Sequence, residues 1–581
     1  MRRAQPMSDE PHRGEPRPPV GLADVAALLL FGLYAVLFWL EHWKGAWPVV
    51  DLGGDSGNIL SWAVALDHPA AFARDSALAD PGALGFYATI HVPLMRLLGP
   101  LAGDYGTAWM LLLGPHVFLQ VTGFYVLGRV LFRDRLWALL LAVVTSVLVW
   151  INLGTYWGAF AEPQPRFTFQ ALLPWALALA LQWRDRPSRW PALMALVGLL
   201  MYVHPVSAPA WGFACWLGLW ASKAPGTTMR ERIGWRTLAA AAFLIVALPF
   251  VWLYAGSEAS AGTASVDPSV IARAVELSVP AEYRDVRRAV RTFVTIASLP
   301  PQRFYWGGAA LAILLLALLG GRERALLRPV LLWTTGIVAV SVGLTWADQA
   351  QAASRHVPPV QVDLIRGIRY LVPLMLLLVL WPFAALDAKL AQGHPTPLRR
   401  IARVVALGGG AIVTIGWAMT FSPTMGVGGA LSCWRQGALV CRDEGHRDRA
   451  AIFDAVREHT PEGAPMIATE RRSAPVLRYY ARRPVVHAWR DISVYLYSRR
   501  DLLPGWIERE AAKARIRRLP SPGRRFREYM RFAAAAGAEY ALIDSLYVPA
   551  KFPAQRGFYD GYEVPWRRGG HALVRVAQRR R

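Results

Sequence analysis

Long apolar blocks, closed again and again by clusters of arginine or lysine, constrain this chain more than any other feature of its sequence. A run of roughly twenty apolar residues matches the hydrocarbon core of a bilayer. Backbone amides in hydrocarbon must be satisfied within their own segment, so such runs are helices. The pattern predicts spans at 22–40, 107–131, 136–153, 166–183, 190–203, 205–221, 236–255, 303–320, 328–347, 364–386 and 403–421. With 54% hydrophobic and 18% charged residues, a chain of 581 residues is too apolar for a soluble fold. The expected fold class is therefore mainly α: a polytopic membrane protein of about 11 transmembrane helices plus interfacial helices.

Charge orients these spans. The basic clusters are Arg2, Arg3, Arg13 and Arg17; Arg129, Arg133 and Arg135; Arg184, Arg186 and Arg189; Lys223, Arg230, Arg232 and Arg236; Arg322, Arg324 and Arg328; and Lys389, Arg399, Arg400 and Arg403. With the spans above, all fall on one side, which the positive-inside rule makes the cytoplasm. Counting the apolar segment 84–99, "LGFYATIHVPLMRLLG", as a span would reverse every later loop. It is expected instead as an interfacial or re-entrant helix on the outer face. The net charge of +24 is spread over many loops, not set in a strip interleaved with aromatics. Membrane lipids are thus expected partners and nucleic acid is not.

The chain divides accordingly. Residues 1–20 are polar and Pro-rich, with no evident cleavable leader, and predict a disordered cytosolic tail ahead of a signal anchor. Residues 21–423 form the transmembrane domain, with 41–106 as a long first outer loop. Residues 424–581 change texture: "HRDRAAIFDAVREHTPEGAPMIA" and the segment after it alternate helix and strand patterns. Helical stretches come near 499–514 and 523–537, then the strands "YALID" and "HALVRVA". This predicts a small extracytoplasmic α/β domain. No internal repeat is visible, which weakens an inverted-repeat transporter.

A long loop between two spans usually has a task. The first loop carries Asp51, Asp55, Asp67, Asp75, Asp80 and Asp104. Within it "SGNILSWAVALDHP" predicts a short interfacial helix capped by Asp55 or Ser56. Any single aspartate there serves equally as a cap or a solvated loop residue. Cys215 lies in an apolar block as a small core residue. Cys433 and Cys441 are a disulfide if their segment faces an oxidising compartment, and otherwise two free thiols. No histidine or cysteine stands at metal-ligand spacing, and no Walker-type or Rossmann loop is present. A divalent cation between Asp55 and Asp75 would require the fold to bring them together.

Several segments carry a resemblance. "DHPAAFARD" in the first loop, "AEPQPRFTFQALLPWALAL", "VQVDLIRGIRYLVPLMLLL" and "AVREHTPEGAPMIA…LRYYARRPVVHAW" succeed one another in an arrangement similar to the C-type (GT-C) integral-membrane glycosyltransferases, in their uncharacterised bacterial branch. The resemblance implies a polyprenyl-phosphate-linked sugar as donor and a glycan or lipid as acceptor. It also implies the bacterial inner (plasma) membrane as location and an essential acidic residue in the first outer loop. Asp55, Asp75 and Asp51, in that order, are the expected bases that take the proton of the acceptor hydroxyl. The leaving phosphate needs cationic donors, which Arg166, Arg366 and Arg369 supply where spans begin, Tyr370 following directly. Snorkelling to headgroups explains Arg366 and Arg369 equally well. His204, in "YVHPVSAP", is a packed core histidine or a ligand, and Glu162 is a candidate for holding the sugar. Two rival readings are a transporter or flippase for a lipid-linked glycan and a non-catalytic envelope scaffold.

Overall fold

The structure is a computed structural model, and it describes all residues except 1–20, 44–53, 88, 153–154, 223, 225, 263–265, 280–283, 356–362, 393–395, 439–443, 548–557, 560, 569 and 578–581. Among the described residues, seven helices are long and apolar enough to cross a membrane. These are Leu22–His42, Tyr105–Phe132, Met229–Tyr254, Gln302–Leu319, Gly321–Ser354, Leu364–Ala391 and Pro397–Phe421. Their surfaces have the polarity a bilayer demands: Leu244, Ile245 and Ile412 point outward and are more than 60% exposed. Tryptophans face the other way. Trp109, Trp137, Trp211, Trp333, Trp381 and Trp417 are fully buried between helices.

The remaining expected spans fold as helices of other lengths, Arg135–Ser146, Pro165–Gln182, Trp190–Leu199 and Ala208–Gly218. The block 136–153 is corrected: its helix stops at Ser146, and Val149–Asn152 pairs antiparallel with Thr155–Trp157. β-Branched and aromatic residues at Val147, Val149, Trp150 and Ile151 favour a strand. Gly158 follows the second strand at φ +104°, and a Cβ there would lie 2.1 Å from the Val147 carbonyl oxygen. A second break falls between Trp190–Leu199 and Ala208–Gly218. Pro205 cannot continue a helix, and the chain turns through His204 before restarting. Segment 84–99 becomes a 3-10 turn, Pro81–Tyr87, and a 12-residue helix, His91–Ala102. At about 1.5 Å per residue that helix is too short to span.

Residues after Pro397–Phe421 build a small α/β unit. Its sheet runs Met466–Ala468, Tyr540–Ile543, His571–Arg575, Trp566–Arg568, the first pair parallel and the others antiparallel. The helices Glu444–His459, Ser473–Tyr479, Leu503–Arg517 and Pro522–Ala535 accompany it. Ser473–Tyr479 packs on the helix Asp55–Asp67, whose residues Ile59 to Ala65 are almost wholly buried. The expected interfacial helix is thus a covered one, because the α/β unit sits on it. Cys215 is buried and free, as a core residue should be. Cys433 is disulfide-bonded, and Cys441 lies outside the described residues.

Candidate functional site

Gly54 turns the chain at φ +63°, a conformation that favours glycine, and the helix Asp55–Asp67 begins on the next residue. The side chain of Asp55 does not cap that helix, contrary to expectation, and no side-chain cap is made there. Its Oδ2 accepts instead from Arg166 Nη2 at 2.7 Å. Arg166 comes from the first turn of Pro165–Gln182, where Pro165 fixes the helix start. Its guanidinium lies over the Tyr156 ring, which stacks on Phe160 at 4.1 Å. Tyr87 completes the group by hydrogen bonding to Asp55. Burial pushes the Asp55 carboxyl up, but the Arg166 guanidinium more than offsets this and holds it well below the usual carboxylate range. Burial, with Asp55 alongside, drives the Tyr87 hydroxyl well above its ordinary range, so it remains a donor.

Asp55 lines a cavity of about 490 Å³ shared with Asn58, Arg166, His204, Arg366 and Arg369. Three guanidinium groups thus share the cavity with two carboxylates, Asp55 of the first loop and Asp363. Arg366 pairs with Asp363 at 3.0 Å. Arg369 is 1% exposed. Its Nε donates to the Arg366 carbonyl at 2.9 Å, while its Nη1 has no hydrogen-bond partner among the described residues. A buried donor left in this state favours an anion. Tyr370 donates to Ser207 Oγ at 2.6 Å, and Ser207 Oγ in turn hydrogen-bonds His204 Nδ1 at 2.8 Å. That chain orients the imidazole against the cavity.

A second cavity, about 990 Å³, adjoins the first, and Tyr87, Thr89 and Val203 line both. Its other walls are apolar, among them Trp62, Leu84, Trp175, Leu196 and Leu199. Beneath the shared wall, Thr89 Oγ1 bonds His91 Nδ1 at 2.9 Å, and Thr168 Oγ1 meets both His91 Nε2 at 2.8 Å and His116 Nε2 at 2.6 Å.

The other expected residues stand apart from this cavity. Asp51 lies outside the described residues. Asp67 accepts from Arg96 and from the Tyr105 hydroxyl. Asp75 is fully buried in a different place: Arg478 donates to both its oxygens at 2.8 Å, and the amides of Ala77, Leu78 and Val485 complete its shell. A carboxylate with five donors has no lone pair left for a substrate proton. Nor are Asp55 and Asp75 joined as ligands for a cation, since each is committed to its own arginine. Among the described residues no group of three histidine, cysteine or acidic side chains is placed to hold a metal. Glu162 accepts from Ser56 and from Gln164 Nε2, which braces the Asp55 helix against the strap before Pro165.

Several residues at the site carried no signal in the sequence. Tyr87 and Thr89 sit in the segment valued there only for topology. The α/β unit contributes Ser493 and Tyr497 to the cavity wall, and Arg490 Nη1 donates to the Gly54 carbonyl, directly behind Asp55. The one local hint was density of charge, since arginine is frequent throughout that unit. No family model matches this sequence, and no curated protein matches it.

Proposed function

We propose that the chain is a GT-C-like membrane glycosyltransferase that moves a sugar from a polyprenyl-phosphate donor to a glycan or lipid acceptor outside the cytoplasm. The observation that carries this reading is the joining of an apolar cavity to one holding three arginines and a single aspartate of the first loop. A polyprenyl tail suits the first, and its phosphate suits Arg366 and Arg369. The sugar then lies toward Asp55 and Asn58, which line the same cavity. In the reaction the acceptor oxygen attacks the anomeric carbon and the carbon–oxygen bond to phosphate breaks. The acceptor proton passes to Asp55, and the leaving polyprenyl phosphate keeps the electron pair against the arginines.

A carboxylate held well below its usual range is a weak base. It orients the hydroxyl throughout and takes the proton late, once the anomeric carbon is cationic. Reconstituted protein supplied with a panel of polyprenyl-phosphate sugars tests the proposal. Asp55→Asn is expected to lower turnover by about 10²–10⁴-fold, the usual weight of a general base. Sugar transfer unchanged in Asp55→Asn rejects this site. Movement of the intact lipid-linked sugar across a vesicle, with no transferred product, assigns the cavity to transport instead.

A further inference from the structure

The helix Met229–Tyr254 brings Phe250, Val251 and Tyr254 to the aspartate cavity, and Leu344 reaches the same cavity from Gly321–Ser354. The opposite ends of these two helices meet at a separate cavity of about 470 Å³, lined by Trp220, Ser222, Met229, Arg232, Arg236 and Arg328 among others. Fourteen residues separate Arg236 from Phe250, about 21 Å of helix, so the two cavities lie at opposite ends of one bundle.

This cavity is basic, and two of its arginines, Arg236 and Arg328, have no acidic partner among the described residues. Among the described residues none that lines it is acidic. Arg236 is 3% exposed, and its Nη2 donates only to the backbone carbonyls of Leu219 and Ser222, at 3.1 and 3.3 Å. Its guanidinium lies 4.3 Å from the centroid of the Trp220 ring. These partners are neutral, so they satisfy donors and leave the charge standing. Arg328 is exposed and makes no hydrogen bond or ion pair among the described residues. The nearest carboxylate along the chain, Glu231, is turned back onto the amide and hydroxyl of Thr228.

The rim is apolar. Met229 is 60% exposed and Trp220 45%, and Ile233, one helical turn beyond Met229 and outside the lining, is 46% exposed. An indole at that depth marks a membrane–water boundary, where headgroup phosphates lie. We propose that this cavity binds the headgroup phosphate of an anionic phospholipid, with Arg232, Arg236 and Arg328 around the phosphate and its acyl chains along Met229, Ile233 and Trp220. The arginine distribution assigns it to the cytoplasmic leaflet. The proposal does not depend on the reading of the aspartate cavity.

Full-length protein in phosphatidylcholine nanodiscs is titrated with short-chain phosphatidylglycerol, and the bound lipid is counted by native mass spectrometry. Phosphatidylglycerol is expected to bind at least about ten-fold more tightly than short-chain phosphatidylcholine. The double variant Arg232→Gln/Arg328→Gln is expected to weaken it about thirty-fold. If that variant does not elute as a folded monodisperse particle, the exposed single change Arg328→Gln takes its place, with about a five-fold loss. Equal binding of the two lipids by the unmodified protein overturns the proposal. So does an undiminished preference in a folded variant. Competition by inorganic phosphate as effective as that by phosphatidylglycerol assigns the cavity to a soluble anion and overturns the lipid.

Discussion

At the scale of single residues, Arg369 and His91 have the most to lose. Arg369 is buried with a donor unsatisfied, so its own desolvation is already met in the fold and a phosphate bound beside it gains a charge-assisted hydrogen bond. Arg369→Gln is expected to weaken polyprenyl-phosphate binding about ten- to a hundred-fold, read by tryptophan quenching or equilibrium dialysis. Arg369→Lys should recover little of it, because an ammonium lacks the planar fork. His91 tests pH dependence. Burial, with His116 beside it, lowers its pKa from 6.5 to about 3. The folded state therefore binds fewer protons than the unfolded state between those values, and stability falls as pH falls through that window. Each unit below pH 6 is expected to cost about 1.4 kcal/mol from this group. Thermal midpoints measured from pH 7.5 to 5 should show a slope that His91→Gln flattens, and an identical slope in both proteins removes His91 as its source. Neither residue's setting was legible in advance. The sequence singled out Arg369 by its place at a span start, and it singled out Asp55 by its place in a long acidic loop. It did not show that Arg166, 111 positions away, would take the Asp55 carboxylate, or that Arg490 would back it from the α/β unit.

Among the elements, the apolar blocks were legible because hydrocarbon leaves a helix no alternative partner for its backbone. The exceptions lie where local chemistry overrides hydropathy. At 149–157 strand-forming residues fold the end of an apolar block into a hairpin that Gly158 leaves at a positive φ, and hydropathy alone does not separate these cases. Gly158 packs the end of that hairpin against Val147. A side chain there meets both an unfavourable φ and the Val147 carbonyl, so Gly158→Ala is expected to cost at least about 3 kcal/mol and to displace Tyr156 from Phe160. Gly226 has a similar φ, +77°, with open space around it, and Gly226→Ala should cost only about 1 kcal/mol. Chemical denaturation of the two variants separates conformational strain from steric clash. Equal losses would show that the contact with Val147 contributes nothing.

The whole molecule depends on how the α/β unit sits on the first loop. A buried ion cluster joins them: Arg478 binds Asp75 and Asp491, and Ser76 donates to Asp491 at 2.6 Å. The pairing crosses about 400 positions of sequence, so no local pattern announces it, and it gives Asp75 a different duty from Asp55 although both are aspartates of one loop. The two duties make opposite predictions. Asp75→Asn leaves Arg478 short of a charge in a dry place, and breaking a buried pair costs about 3–5 kcal/mol. The thermal midpoint should therefore drop and the α/β unit should open to protease, while sugar transfer per folded molecule stays near that of the unmodified protein. In Asp55→Asn the weight shifts: its pair with Arg166 borders a cavity that leaves the carboxylate 23% exposed, so the midpoint falls less than in Asp75→Asn while transfer collapses. Measuring both quantities on both variants distinguishes the structural carboxylate from the chemical one. Loss of transfer in folded Asp75→Asn at an unchanged midpoint would exchange the roles and move the site from the three-arginine cavity to the domain junction.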